Sequence, residues 1–481
     1  RSGGGKGNRT TPAGDRTRRT GPEQNRPPDG PAIDADATLA SLGEWGALEA
    51  LLARLPATDH VLGAGDDAAA LAVPDGEVAV ISTDTLVEGV HFESRWSSPD
   101  DLGYRAVMVA ASDLAAMAAR PLGIVMAISA PGALRVGELL GLGDGMVEAA
   151  TASRLALVGG DTTGAPLLVL TATVLGSAGD EGLARRDTVH SGDRVLVTGQ
   201  LGEARAGLEV LQAIHGPGGE RPAAGAAAPR RATAGDAAAG DEAAPQAVDH
   251  TWLAPISPLV DLPARWRGGD WQRLVEMMSD AGTFDSSESV PPALDPNVAS
   301  RLQASLMRAV RRLLRPRAQL EAGVLARRLG ATAMIDVSDG LASELHHLAA
   351  ASGVGFRITA DWVPVGRGAR AWGYLTGRDP LEFALGGGDD YELLFTAPPQ
   401  WVSMIAEEMQ EHGIRVSEIG EAVDAADGLV LVGPEGDVPL RRRGYQHFGR
   451  ATRRHGRAHT DPGLSRRAIP TPSGSRSRPG R

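Results

Sequence analysis

The stretch at residues 78–92, VAVISTDTLVEGVHF, contains the pattern from which the fold class follows. Four apolar residues are followed at once by the polar run 82–85, STDT. A short apolar run followed by Gly, Asp, Ser or Thr recurs at 155–163, 333–340 and 383–392. Such runs are typical of buried strands that alternate with helices. We therefore predict an α/β (α+β) fold.

Carboxylates cluster around these predicted strands. An acidic residue follows each strand or precedes it in a glycine-rich turn: Asp67, Asp84, Asp161, Asp336 and Asp389. A buried carboxylate is costly unless it is paired, and these motifs hold no lysine and little arginine. Carboxylate and hydroxyl oxygens, together with substrate phosphates, suit Mg²⁺. A single such motif would be an ordinary turn, but five in one chain favour a metal–phosphate site.

Asp113 and His91 extend this acidic set. In residues 101–119, DLGYRAVMVAASDLAAMAA, the apolar positions fall on one face of a predicted helix, and Asp113 lies on that face. Asp113 is explained either as a metal ligand or as a cap or ion-pair partner of Arg120. His91 lies seven residues after Asp84, which is the only local reason to distinguish it from an ordinary histidine.

The composition excludes several kinds of chemistry. At roughly 100–200 residues per domain, the 481 residues allow two to four domains. The chain has no cysteine, which excludes disulfides, thiolate metal sites and cysteine nucleophiles. Lys6 is the only lysine, and its neighbours do not form a Walker A loop. Phosphate must therefore be bound by metal ions, arginine or backbone amides.

The formal net charge of −12 is unevenly distributed. Residues 1–36 and 449–481 are rich in Arg, Gly, Pro and Ser, and we predict disordered basic tails there. Basic tails can bind nucleic acid, but no aromatic residue interleaves the arginines of the first tail, so we do not expect that partner. The ordered parts are an N-terminal domain at 37–179 and a C-terminal domain at 180–448, which a low-complexity insertion at 214–300 interrupts.

The sequence contains no predicted membrane segment. No apolar run reaches about 18 residues, the length that suggests a spanning helix. The first residues also lack the apolar region of a secretory signal. We therefore expect a cytoplasmic protein without a membrane partner.

Taken in order, the motifs resemble those of the thiamine-monophosphate kinase family, which belongs to the superfamily of aminoimidazole-ribonucleotide synthetase-like ATP-binding enzymes. The matching segments are 63–67 (GAGDD), 82–92 (STDTLVEGVHF), 112–119 (SDLAAMAA), 159–163 (GGDTT), 336–341 (DVSDGL), 387–393 (GGDDYEL) and 444–448 (GYQHF). The combination of the second, fourth and last segments is specific for this kinase family rather than for the superfamily in general.

The resemblance implies both a fold and a reaction. It implies an N-terminal sheet domain that binds ATP and Mg²⁺ and forms a homodimer through its sheet, followed by a C-terminal α/β domain, with ATP between the two. The implied reaction transfers the γ-phosphoryl group of ATP to thiamine monophosphate and gives thiamine diphosphate and ADP. Because the acceptor phosphate is already an anion, the protein has mainly to position the groups and neutralise their charge.

The resemblance also implies roles for individual residues. The implied ligands of several Mg²⁺ ions are Asp67, Ser82, Thr83, Asp84, Asp113, Asp161, Asp336 and Asp339. Of these, Asp84, Asp113 and Asp161 form the implied catalytic set. The implied ATP contacts are Gly160, Asp161, Arg186 and Ser338, where Arg186 is preferred to Arg185 by spacing alone. The implied contacts of thiamine monophosphate are His91, Asp389 and Tyr445. The family commonly has Glu where Asp389 stands.

Two alternatives stay open. The first is another ATP-dependent enzyme of the same superfamily, such as aminoimidazole-ribonucleotide synthetase, although the segments at 82–92 and 444–448 argue against it. The second is a catalytically silent nucleotide-binding protein whose basic tails bind nucleic acid. The intact carboxylate set argues against the second alternative, because a silent protein need not keep it.

Overall fold

Two β-sheets organise the chain. The computed structural model describes residues 34–55, 63–64, 68–179, 182–215 and 296–444. Both predicted tails lie outside these residues almost completely, as do most of the predicted insertion, Asp67 and Tyr445. Within the described part of the chain, no helix is long and apolar enough to cross a membrane.

The N-terminal half contains a four-stranded sheet. Its strands are β1 (Val78–Val87), β2 (Arg120–Ala130), β3 (Ala156–Gly164) and β4 (Val169–Ala178). They lie in the order β1-β4-β2-β3, and β4 is antiparallel to both of its neighbours while β2 and β3 are parallel. The helices of this half are α1 (Leu39–Leu52), α2 (Pro99–Ala116) and α3 (Val136–Ala152).

The two faces of this sheet have different surroundings. The inner face packs on α2 and α3, and the outer face is exposed. Because successive side chains of a strand point to opposite faces, Ser82 and Asp84 of β1 lie on the inner face with Leu86. Ile81 and Thr83 lie on the outer face, and Ile81 is 71% exposed. The helices therefore cover a sheet face that carries polar groups.

The C-terminal half contains a seven-stranded mixed sheet. Its strands are β5 (Arg194–Thr198), β6 (Ala333–Asp336), β7 (Val354–Thr359), β8 (Leu393–Ala397), β9 (Val416–Asp424), β10 (Leu429–Gly433) and β11 (Gly436–Pro439). They lie in the order β11-β10-β7-β9-β5-β8-β6. The helices of this half are α4 (Glu203–His215), α5 (Pro296–Leu314), α6 (Leu320–Arg328), α7 (Leu341–Ser352), α8 (Arg367–Thr376), α9 (Pro380–Gly386) and α10 (Val402–Glu411). Helices α4 and α5 thus extend into both ends of the predicted insertion.

Helix α2 connects the two halves. Ser98 caps its start by accepting a hydrogen bond from the Asp101 amide at 3.2 Å, and Pro99 occupies its first turn. One side of α2 packs in the N-terminal core, and its last turn shares a second core with α6 and β6. The close approach depends on Gly323 of α6, where a Cβ would lie 2.1 Å from the carbonyl oxygen of Ala115.

The predicted α/β (α+β) fold is confirmed, with two local corrections. The acidic motifs at Asp84 and Asp161 lie within β1 and β3 rather than after them. The apolar run at 383–385, which we predicted as a strand, belongs to helix α9. Asp379 caps the start of that helix by accepting a hydrogen bond from the Leu381 amide at 2.9 Å. Three apolar residues are too few to distinguish the periodicity of a helix from that of a strand. The domain boundaries stay predictions.

We expect Gly103→Ala to destabilise the N-terminal half. A Cβ at Gly103 of α2 would lie 2.0 Å from the carbonyl oxygen of Leu142 in α3, so the helices would have to separate. Thermal unfolding should show a loss of about 3 kcal/mol. Gly164→Ala is the control, because a Cβ there meets nothing within 4 Å. Equal melting temperatures for the two variants would contradict this account of the helix packing.

Candidate active site

Three carboxylates meet where the two halves join. Asp84 comes from the inner face of β1, Asp113 from the last turn of α2 and Asp336 from the end of β6. The Ser82 hydroxyl donates a hydrogen bond to Asp113, and the Ser112 hydroxyl donates one to Asp336 at 2.7 Å. Asp336 is buried. Residues far apart in sequence thus form one acidic cluster, which we call the junction cluster.

The junction cluster is electrostatically unfavourable as it stands. Burial, followed by the charges of Asp113 and Asp336, raises the pKa of Asp84 to about 7. Burial and the charge of Asp113 raise the pKa of Asp336 to about 6, although the Ser112 hydroxyl and Arg186 act in the opposite direction. Carboxylates that repel each other in a partly buried site bind a cation favourably, because it removes both the repulsion and the unpaired charge.

The donor set of the cluster fits Mg²⁺. Carboxylate and hydroxyl oxygens are its usual protein ligands, and it commonly binds through one or two carboxylates and completes its shell with water and phosphate. Among the described residues, no group of three or more acidic or histidine side chains is arranged to hold a metal ion, so the fit rests on the chemistry of these donors.

A second acidic element flanks the junction cluster. Glu344, in the first turn of α7, accepts a hydrogen bond from the Asp339 amide at 3.0 Å and is buried. Burial mainly raises its pKa to about 7, and Asp336 and Asp339 contribute to that rise. Neither Glu344 nor Ser112 is among the site residues that the sequence predicts. The only available signal was their position within or beside acidic motifs.

Two of the three predicted substrate residues, His91 and Asp389, lie in loops. The Asp389 amide donates to the Ser338 carbonyl at 2.8 Å, which joins the loop before β8 to the loop after β6. His91 follows β1, and its Nδ1 accepts a hydrogen bond from the Val87 amide at 3.0 Å. Arg105 of α2, which sequence analysis did not single out, contacts both His91 and Asp389.

Arg186 and Arg185 differ in their surroundings. Arg185 is paired with Asp187, with its Nε 2.8 Å from Oδ1 of that residue. The positive charge of Arg186 partly offsets the rise in the pKa of Asp336 and of Glu344. Arg186 therefore acts electrostatically on the junction cluster. The choice of Arg186 as an ATP contact stays a prediction that this difference supports.

Other predicted residues are not brought into the cluster within a single chain. The Thr83 hydroxyl lies 3.0 Å from the Thr173 hydroxyl on the outer sheet face, so the Thr83 side chain points away from the junction cluster. Across the sheet, Asp161 of β3 pairs with Ala127 of β2, and the same row of paired residues ends at Thr85 of β1. The Asp161 side chain therefore lies on the outer face, as Thr85 does. Alternation along the strands separates both side chains from Asp84.

Gly160 lies in the same row of the sheet as Asp84. A Cβ at this position would lie 2.0 Å from the carbonyl oxygen of Met126, so the tight pairing of β2 with β3 requires glycine. Asp67 and Tyr445 lie outside the described residues. Their roles, like those of the other carried-over residues, stay predictions.

Comparison with known proteins agrees with this architecture. Residues 65–178 match the family model for the N-terminal domain of AIR synthase related proteins, and residues 297–432 match the model for the C-terminal domain. A thiamine-monophosphate kinase from Synechococcus elongatus is 28% identical, over 86% of this chain and 99% of its own.

Two solved structures extend the comparison. The crystal structure of a thiamine-monophosphate kinase from Stenotrophomonas maltophilia is 30% identical, covers 80% of this chain and 95% of its own, and has a TM-score of 0.57. A structure described as AaThiL complexed with AMPPCP and TMP is 23% identical, covers 86% of this chain and 99% of its own, and shares the fold with a TM-score of 0.53. The chain therefore belongs to the thiamine-monophosphate kinase family of the AIR synthase related proteins.

Proposed function

We propose that the protein transfers the γ-phosphoryl group of ATP to thiamine monophosphate and releases thiamine diphosphate and ADP. The observation that carries the proposal is the junction cluster, which gathers three carboxylates at the contact between the halves of a chain from this kinase family. ATP is the phosphoryl donor and thiamine monophosphate the acceptor. We place the reaction in the cytoplasm, where ATP is available.

Phosphoryl transfer between two phosphates concentrates negative charge, so positioning and charge neutralisation dominate the catalysis. Asp84, Asp113 and Asp336 would hold Mg²⁺, which supplies positive charge to the phosphate oxygens when bound. Ser82 and Ser112 orient two of these carboxylates through their hydroxyl hydrogen bonds. Asp67, Asp339 and main-chain atoms of Thr83 complete the proposed ligand set within one chain. The Asp161 side chain lies on the opposite face of the sheet, so its proposed role belongs to the dimer contact.

The remaining contacts are divided between the two substrates. Arg186, Ser338 and Gly160 are the proposed contacts of ATP, and the charge of Arg186 already acts on the cluster that would hold its phosphates. His91, Asp389 and Tyr445 are the proposed contacts of thiamine monophosphate. No side chain has to act as a general base, because the attacking phosphate oxygen is ionised at neutral pH.

A homodimer formed through the outer sheet face is part of the proposal. That face exposes Ile81 and Val125, which are 71% and 38% exposed, next to the threonine pairs Thr83–Thr173 and Thr85–Thr171. An exposed apolar sheet face is unfavourable in water, and pairing with a second copy would cover it. Asp161 lies on the same face, so dimer formation would bring it close to the partner.

The direct test is ADP release by the purified full-length protein. We expect release with ATP and thiamine monophosphate that requires Mg²⁺, and only background release with thiamine or with no acceptor. Conversion of thiamine monophosphate to thiamine diphosphate should match the ADP formed. Equal turnover with thiamine would assign a different kinase activity, and no acceptor-dependent release would reject the proposal.

Asp84→Asn should abolish most of the turnover without harming the fold. The amide keeps the shape of the side chain but removes the charge that would hold the metal, so kcat should fall by about 10²–10³-fold or more. Since a repulsive charge is removed, the melting temperature without Mg²⁺ should be equal or higher. Asp144→Asn, which removes an exposed ion pair with Arg54, is the control and should stay within about twofold of wild type. Near wild-type kcat for Asp84→Asn would disprove the metal assignment.

Ile81→Arg should convert the dimer to a monomer. An arginine at position 81 in each chain would place two like charges and two large polar groups in the contact. Light scattering after gel filtration should give the mass of one chain, while wild type gives twice that mass. Val438→Arg, at an exposed position of β11, should remain dimeric. A dimer that survives Ile81→Arg would exclude this face as the interface.

A further inference from the structure

Arg105 is a buried charged residue that the proposed chemistry leaves without a role. It lies in α2 with only 3% of its side chain exposed. Its Nη1 donates to the His91 carbonyl oxygen at 3.1 Å, and its Nη2 lies 3.0 Å from Oδ2 of Asp389. One guanidinium thus joins the segment after β1, in the N-terminal half, to the loop before β8, in the C-terminal half.

The Asp389 loop has a strained backbone that these contacts hold. Asp389 and Tyr391 have φ angles of +67° and +50°, values that residues other than glycine rarely adopt. The Tyr391 hydroxyl donates to Oδ1 of Asp389 at 2.8 Å, while Arg105 binds Oδ2. Both oxygens of this carboxylate are therefore fixed from the protein side.

The carboxylate nevertheless remains open on its other side. The Asp389 side chain is 34% exposed, whereas the Arg105 side chain behind it is almost completely buried. A carboxylate has about four lone-pair positions, so two contacts leave others for a ligand. Burial alone would lower the pKa of Arg105, but Asp389 and Tyr391 more than reverse that effect, so the guanidinium stays charged.

Arg105 also has a fixed relation to the junction cluster. It precedes Asp113 by eight residues on the same helix, which corresponds to about 12 Å along the axis. Helix α2 therefore carries both Asp113, a member of the junction cluster, and Arg105, the residue that holds Asp389. Such an arrangement suits a substrate with a phosphate at one end and another recognised group at the other.

We propose that Arg105 is a positioning residue for the acceptor substrate: it holds Asp389 and the His91 segment so that Asp389 faces the positively charged ring of thiamine monophosphate. This inference rests on the proposed function. In this view, the Asp389 carboxylate selects a cationic acceptor. Arg105, its buried salt-bridge partner, does not contact the substrate. Asp389, one methylene shorter than Glu, would depend on this partner for its orientation.

The test is a comparison of steady-state kinetics for Arg105→Lys, Asp389→Asn and the double variant. Lysine keeps the charge but cannot make both contacts, so the KM for thiamine monophosphate should rise about tenfold or more, while the KM for ATP stays within about twofold. If Arg105 acts mainly through Asp389, the rise in KM for the double variant should be much smaller than the product of the two single rises. Tyr391→Phe, which removes only the hydroxyl, should raise the same KM selectively and provides the test if Arg105→Lys does not fold.

Arg315→Lys is the matched control. Arg315 is also a buried arginine between the halves, since its Nη1 lies 3.1 Å from Oδ1 of Asp101 and its guanidinium stacks on Tyr104 at 4.1 Å from the ring centre. Its replacement should lower the melting temperature and leave both KM values unchanged.

Three results would overturn the role of Arg105. They are a parallel rise in both KM values, a pattern like that of Arg315→Lys, and additive effects in the double variant. A wild-type protein that releases no ADP with thiamine monophosphate would instead reject the proposed function, so the two failures are distinguishable.

Discussion

The mutual repulsion of Asp84, Asp113 and Asp336 is the constraint around which the rest of this structure is arranged. In this partly buried junction, burial and the charge of Asp113 raise the pKa of Asp84 and of Asp336, and the repulsion between the carboxylates opposes the contact between the halves. The fold must therefore hold them together by packing elsewhere. Shared apolar cores along α2, and the close approach of α2 to its neighbours at glycines, supply that packing.

Helix α2 meets this constraint because it belongs to both halves. Its middle is buried in the N-terminal core, and its last turn packs on α6 and β6 of the other half. Residues of one helix therefore reach the metal–phosphate end, through Ser112 and Asp113, and the loops of the acceptor end, through Arg105. A helix that shifted relative to either half would disturb both ends together, which explains why its contacts are so close.

The sequence predicted what depends on local pattern and missed what depends on register and tertiary contact. The apolar runs correctly indicated α/β architecture, and the position of Asp113 on the apolar face of a helix correctly placed it at an internal contact. The prediction of a strand at 383–385 is wrong, because three apolar residues fit either period and Asp379 caps a helix that contains them. The opposite orientations of Asp84 and Asp161 could not be foreseen without knowing that both motifs lie inside paired strands.

Arginines in this chain serve structural contacts around the site, where lysine is absent. Buried and half-buried arginines form ion pairs with carboxylates at contacts between distant segments: Arg105 with Asp389, Arg312 with Glu392 and Arg315 with Asp101. A guanidinium that binds two partners at once suits such structural contacts better than an ammonium does. Because these three guanidinium groups are already paired with carboxylates of the protein, they are poorly placed to neutralise phosphates. A phosphate site built mainly from aspartates must then take most of its positive charge from a bound metal ion, and the affinity for the phosphate substrates should depend on that ion.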